Sequence, residues 1–219
     1  MIIAMVGGKG GVGKSTLSVC LGAEWHQRGK RVLLVDLDPQ GSVMTWAEVA
    51  AEAGNETPDA VALGDNVRKA LPGLARDYDV VVLDCPGRMA KRVAGALMVV
   101  DMAVMPCSGS TTDVWAVSET VEIVEQASEL RPSLVAAIVL NRIQSTTNMG
   151  RTAREALSEV SPVVLRTTIG QRIAFAEALA AGQGVTTWAG GSLAALELRR
   201  LADELEGLVE GSEAFDAAR

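Results

Sequence analysis

The sequence predicts an α/β fold: a single domain built on a mostly parallel twisted sheet, with helices on both faces. Three observations carry this reading. Apolar runs at 31–36 and 79–84 are continuous rather than alternating, as strands buried on both faces require. Such runs alternate with segments of helical spacing along the chain, the pattern of parallel strands joined by crossover helices. The chain also opens on an apolar run at 2–6, a glycine-rich loop and a helical run from 15, in that order.

The elements follow in turn. Gly29 ends the first helix, and residues 31–36 form a strand. Residues 42–53 have helical spacing with Val43, Trp46, Ala47 and Ala50 on one side. A loop at 54–59 leads to a short strand at 60–63 and a helix at 66–76 interrupted by Pro72 and Gly73. Strands are expected at 79–84 and 102–106, then a helix at 111–130 capped by Thr111, Thr112 or Asp113. A strand at 134–140 ends in Asn141 and Arg142. A helix at 150–159, a strand at 163–168, a helix at 171–181, a glycine-rich loop and a helix at 192–209 complete the series. The domain is expected to span 1–211, with 212–219 a frayed tail.

A chain of 219 residues, 48% hydrophobic, can bury a sizeable core in one domain. Its longest apolar stretch, 94–100, is too short for a membrane span, and residues 1–6 lack the features of a secretory signal, so a cytoplasmic protein is expected. Cys20, Cys85 and Cys107 show no metal-ligand spacing and read as reduced structural thiols. The single histidine, His26, falls beside Trp25, and mechanisms built on histidine or on metal-ligand clusters are disfavoured. The net charge of −7 argues against nucleic-acid binding by the chain as a whole. The charge is uneven, however: 142–172 holds five arginines against Glu155 and Glu159, whereas the chain from Glu197 onward is acidic.

The chemistry concentrates between Gly8 and Ser15, where G-x-x-x-x-G-K-S is the spacing of a phosphate-binding loop. Gly8, Gly10, Gly11 and Gly13, with Val12 among them, let the backbone curl so that N–H groups converge on phosphate oxygens. The helix that follows adds the positive end of its dipole. Lys14 is expected on the β- and γ-phosphates, the Ser15 hydroxyl on a magnesium ion and Thr16 near the α-phosphate. Four apolar residues ending in Asp84 match the strand that delivers a carboxylate to that ion. Asp36 and Asp38 close the neighbouring strand and face the same crevice. An N-capping turn is the plain alternative for that pair. The fold class is thereby sharpened to a P-loop NTPase.

The full string from Lys9, K-G-G-V-G-K-S-T, resembles the deviant Walker A loop of the ParA/MinD superfamily of ATPases. The D-x-D-P-Q-G string from Asp36 and the D-C-P-G string from Asp84 are similar to that family's switch regions. The resemblance covers nearly the whole chain and fits the short form, which has no amino-terminal helix-turn-helix domain. It implies ATP and Mg2+ as cofactors and a slow, partner-stimulated hydrolysis in which Lys9, Lys14 and Asp38 are catalytic. Lys9 would reach the nucleotide of a second copy, Asp38 would position the attacking water, and Asp36 would lie near the metal. Pro39, Gln40, Cys85, Pro86 and Gly87 would be switch residues sensing the γ-phosphate. Asn141 would read the adenine edge, with an ordinary strand-end turn as the alternative.

Within the superfamily, MinD-type members end in a basic membrane-binding helix, whereas this chain ends in an acidic one that anionic lipid would repel. Cysteines able to bridge a dimer through an iron–sulfur cluster are not convincingly present. Partition-type members hold DNA without sequence preference through late arginines. Arg166, at the head of an R-T-x-I string, and Arg172 are the first candidates here, followed by Arg151 and Arg154; a solvated helix face is the alternative for all four. The resemblance therefore implies an ATP-dependent homodimer, nonspecific nucleoid DNA, a ParB-like or other cargo-adaptor partner and no membrane. The function implied is segregation of a plasmid or chromosome, or positioning of another cargo. The competing readings are a MinD-like membrane-associated ATPase and a nucleotide-binding scaffold with little hydrolysis.

Overall fold

The computed structural model describes residues 1–144, 148–158 and 162–216, with side chains to residue 211. Its sheet has seven strands among the described residues: β1 (Ile2–Met5), β2 (Val32–Asp36), β3 (Asp59–Ala62), β4 (Val80–Asp84), β5 (Met102–Cys107), β6 (Val135–Ile143) and β7 (Val163–Gly170). They lie in the order β3-β2-β4-β1-β5-β6-β7, and every pairing is parallel. The helices are α1 (Lys14–Gln27), α2 (Ser42–Glu52), α3 (Val67–Leu74), α4 (Ala90–Leu97), α5 (Thr111–Leu130), α6 (Met149–Leu157), α7 (Ile173–Ala180), α8 (Val185–Trp188) and α9 (Leu193–Asp216).

Alternation along each strand divides the interior into two cores. Ile3 and Met5 join Leu17, Trp25, Trp46, Phe175 and Leu201 on the face covered by α1, α2 and α7–α9. Ala4 and Val6 join Leu71, Leu97, Val121 and Leu157 on the face covered by α3–α6. Continuous apolar runs were therefore the correct sign of strands with no solvated face. The central strand is β1; the chain builds β2, β3 and β4 on one side of it and then crosses from β4 to β5 on the other, a reversal that opens a crevice beyond the carboxyl ends of the strands. The cysteines are free and buried. No helix among the described residues is long and apolar enough to cross a membrane.

Several local expectations need correction. Helix α3 continues through Pro72, because Leu71 is fully buried and anchors the turn. Helix α4 forms where only an apolar stretch was apparent, burying Val93, Ala96 and Leu97. Helix α5 is capped by Ser110, whose hydroxyl accepts from the Asp113 N–H, one residue before the first candidate considered. Strands β6 and β7 run past their expected ends. Helix α9 extends beyond 209 to Asp216, while the expected helix end at Glu159 and the last three residues of the tail lie outside the described residues.

The acidic character of α9 has a structural use. As the edge strand, β7 leaves N–H groups without a strand partner. The Glu204 carboxylate accepts from Arg166 N at 2.7 Å and Thr167 N at 2.9 Å, and Glu197 accepts from Gly170 N at 3.0 Å. Burial would raise the Glu204 pKa, but the bonds from Thr167 and Arg166 hold it below the usual range. A group whose pKa is depressed by folding stabilises the fold above its unfolded pKa and loses that effect as the pH falls. Glu204→Ala is therefore expected to cost about 1–3 kcal/mol at neutral pH. In thermal melts the gap from the parent chain should close as acid protonates the carboxylate.

Candidate nucleotide site

The carboxyl ends of β1, β2, β4 and β6 meet around one crevice of about 1000 Å³, lined by Gly10, Gly13, Lys14, Ser15, Thr16, Asp38 and Asn141, among others. The loop from Gly8 to Gly13 forms its floor. Gly11 and Gly13 have φ of 80° and 94°, left-handed values that suit glycine. At Gly13 space also decides, since an added Cβ would lie 2.3 Å from Asn141 Nδ2. Val12 is buried, and Gly8 N donates to Thr120 Oγ1 at 3.1 Å, which ties the loop to α5.

Lys14 is 7% exposed, and its Nζ donates to the Lys9 carbonyl at 3.1 Å. The position a Cβ would take on Gly87 lies 3.6 Å from the same Nζ, so Lys14 stands between the phosphate loop and the backbone after β4. Ser15 and Thr16 line the crevice one turn further on. Cys85 and Pro86 are buried beneath this wall, and burial pushes the Cys85 thiol pKa up. Pro39 and Gln40 are exposed at the rim, and Gln40 lines the crevice.

The two strand-end aspartates differ. Asp84 is 1% exposed; Ser18 Oγ donates to its Oδ1 at 3.4 Å, and Oδ2 has no partner. Burial pushes its pKa up to about 7, against the pull of the Ser15 hydroxyl, with the nearby Asp36 charge raising it further. Asp36 has no such vacancy: Oδ1 accepts from Asp38 N, and Oδ2 accepts from Val43 N and Met44 N at the start of α2. Asp36 thus anchors the N-terminus of α2, the plain alternative noted for this turn, while remaining the β2 neighbour of Asp84. Asp38 is half-buried, accepts from Gln40 N at 3.0 Å and faces the crevice.

A buried carboxylate oxygen with no partner, beside the Ser15 hydroxyl, suits a hard cation that keeps most of its waters. Among the described residues no group of three or more His, Cys, Asp or Glu side chains is placed to hold a metal by itself. The donor set therefore fits a magnesium ion carried in with phosphate oxygens, with Ser15 and Asp84 as the protein's contribution.

Lys9 is turned inward within its own chain. Its Nζ lies 2.5 Å from Asp113 Oδ1 and 3.1 Å from Thr112 Oγ1. Asp113 also accepts from the Ser108 and Ser110 hydroxyls and is 3% exposed. Burial would raise its pKa, yet these bonds hold it at about 2. Asn141 is 3% exposed and donates from Nδ2 to the Val12 carbonyl at 2.7 Å, so this side chain braces the loop while lining the crevice.

The four late arginines separate. Arg172 lines the crevice, held by Glu197 at 2.6 and 3.0 Å. Arg154 donates to the carbonyls of Leu165 and Arg166 and to Thr168 Oγ1, bracing β7. The Arg151 and Arg166 side chains are exposed and make no hydrogen bond among the described residues.

Sequence reasoning missed three contacts. Asp113 was visible only as a helix-cap option, Arg142 only as one of a basic series, and Arg92 not at all. Arg92 donates to the Leu37 carbonyl at 2.8 Å and to Asp65 at 2.6 Å, linking α4 to the loop after β2. No local pattern signals such long-range partners.

Residues 3–185 match the family described as CobQ/CobB/MinD/ParA nucleotide binding domain. The chain belongs to this family. It is 33% identical over 210 residues to maintenance of carboxysome distribution protein A of Halothiobacillus neapolitanus, covering 93% of this chain and 95% of that protein. It is 30% identical over 242 residues to the chromosome-partitioning ATPase Soj of Thermus thermophilus, covering 95% and 96%. Its fold is similar to the septum site-determining protein MinD from Pyrococcus horikoshii, solved with Mg-ADP, at a TM-score of 0.75 and 19% identity over 96% of this chain and 98% of that one. The fold class and the ParA/MinD resemblance read from the sequence are both confirmed.

Asp84 gives this site a pH signature. Its pKa is raised by folding, so the stability linked to its protonated form is present at low pH and is lost as the pH rises toward 7. In the nucleotide-free chain, the stability of Asp84→Asn relative to the parent should climb as the pH is raised from about 4 to about 7 and level off above that. The Mg2+-dependent gain in Tm with nucleotide should disappear in the same variant.

Proposed function

We propose that this chain is a ParA-type ATPase that positions a cargo, a plasmid, chromosome or protein assembly, by ATP-dependent dimerisation on nonspecific DNA. The observation that carries the proposal is the gathering of Lys14, Ser15 and Asp38 on one crevice, with Asp84 buried at the adjoining strand end, in a chain alignable almost end to end with a carboxysome-distribution protein. ATP and Mg2+ are the cofactors. Magnesium, when bound, neutralises charge on the β- and γ-phosphates. Lys14 binds the same phosphates from the loop, Ser15 and Asp84 hold the ion's shell, and Asp38 orients the attacking water. Backbone at Gly87 and Gln40 registers the γ-phosphate, so the loops after β2 and β4 act as switches.

Lys9 acts on the nucleotide of a second copy, and to do so it must leave Asp113. The dimer thus competes with an ion pair inside each chain, and Asp113 sets how readily the pair of chains forms. A ParB-like or other adaptor protein accelerates hydrolysis and returns the chains to the single state. Arg151 and Arg166 supply the DNA contacts, with Arg172 assigned to the crevice and Arg154 to the β7 brace.

Light scattering with no nucleotide, ADP and ATP tests this directly. The parent chain should dimerise only with ATP. Lys9→Ala should bind nucleotide but stay single, and Asp113→Asn should dimerise at a lower ATP concentration. A Lys9→Ala chain that dimerises normally overturns the trans role.

On DNA, the double variant Arg151→Ala with Arg166→Ala should weaken binding evenly across sequences. It should also flatten the slope of log affinity against log salt by about 2 for each chain of the dimer in contact with DNA.

A further inference from the structure

Strand β6 does something a regular strand does not. Consecutive side chains of a strand point to opposite faces, yet Asn141 and Arg142 both reach back to the phosphate loop. Asn141 Nδ2 donates to the Val12 carbonyl at 2.7 Å, and Arg142 Nη1 donates to the Gly11 carbonyl at 2.6 Å. Neighbouring residues hold neighbouring carbonyls.

The backbone explains how. Arg142 has φ 58°, and among the described residues it is the only non-glycine with a positive φ. The pairing of β6 with β7 slips out of register between Leu140 and Ile143, around this residue. A bulge of this kind re-aims a side chain. A left-handed arginine is disfavoured, and such strain persists where surrounding contacts over-determine it. Arg142 itself is exposed and lines the crevice.

The peptide group is planar and trans, so fixing a carbonyl on one side fixes the following N–H on the other. Holding the carbonyls of Gly11 and Val12 therefore sets the directions of the Val12 and Gly13 N–H groups, two of the donors expected to meet phosphate. We propose that Arg142 is a positioning residue, which together with Asn141 clasps the phosphate loop and presets its N–H groups for the nucleotide's phosphates before nucleotide arrives. This rests on nucleotide binding by the family and not on dimerisation, DNA or cargo, so failure of the positioning function would leave it untouched.

The test uses the full chain as Arg142→Ala, Arg142→Gly and Arg142→Lys, with ADP titrated against a fluorescent ADP analogue and adenosine used as a phosphate-free competitor. Arg142→Ala and Arg142→Gly should weaken ADP by about tenfold or more, the loss of one charge-assisted hydrogen bond. Adenosine should change by less than about twofold, since it makes no phosphate contact. Arg142→Lys, which keeps a donor for the Gly11 carbonyl, should recover part of the ADP affinity.

The ADP defect should persist at about 0.5 M salt, where bare charge is screened. The nucleotide-free Tm of Arg142→Gly should match or exceed that of the parent, because glycine accepts this φ without strain. Three results overturn the proposal. These are ADP affinity within about twofold of the parent in both Arg142→Ala and Arg142→Gly, equal losses for ADP and adenosine, or a defect that salt erases.

Discussion

The left-handed turn at Gly13, closed against the Asn141 side chain, is the constraint on which the crevice depends. It lets the backbone pass from β1 into α1 while the intervening peptides curl, and it leaves no room for a Cβ. Around it the loop is held from three directions: Val12 packs into the interior, Thr120 takes the Gly8 N–H, and β6 holds the carbonyls of Gly11 and Val12. A phosphate site made of backbone donors works only if those donors are fixed in advance, because reorganising them would consume the binding free energy. The parallel sheet supplies that fixity by bringing four strand ends to one edge.

Charge inside this protein follows a consistent division. Asp36, Asp113, Glu197 and Glu204 have their oxygens filled by N–H groups, hydroxyls or cations of the same chain. These are the buried or half-buried acids that a fold can accommodate, because each is compensated. Asp84 differs: Glu24 Oε2 also lacks a hydrogen bond, but it lies 3.8 Å from the Arg199 guanidinium. Asp84 is as buried as any of them, has one oxygen without a partner, and its proton affinity has risen to match. An acid left incomplete at the end of β4, beside the Ser15 hydroxyl, suits the proposed magnesium site.

Lys9 shows the same economy in another form. A lysine in a glycine loop would normally be free in solvent, but here it completes the shell of a buried aspartate on α5. The single chain is thereby self-sufficient at the place where a second copy would engage. In the proposed dimer the intermolecular contact would draw on the same ammonium group as this interior one, which is how a small ligand can tip an equilibrium between the two states.

The order of the seven strands along the chain, the phosphate loop, the Asp84 strand and the covering of both faces were legible in the sequence, whereas helices α4 and α8 were not. Each legible feature depends on local spacing: glycines where the chain must curl, apolar runs where a strand has no wet face, lysine and serine where a helix begins. What the sequence could not show was which partner each polar side chain finds across long separations. Asp36 turned out to anchor α2, Arg172 to wall the crevice, α9's acids to cover the β7 edge, and Arg142 to bend its own strand toward a loop 131 residues earlier. These outcomes are set by how the strands align and by where a bulge falls, and side-chain type alone carries no information about either. The chain therefore specified the nucleotide site through local geometry. Its division of labour among the charged residues was decided only when the sheet closed around that site and left each carboxylate and guanidinium with one set of neighbours.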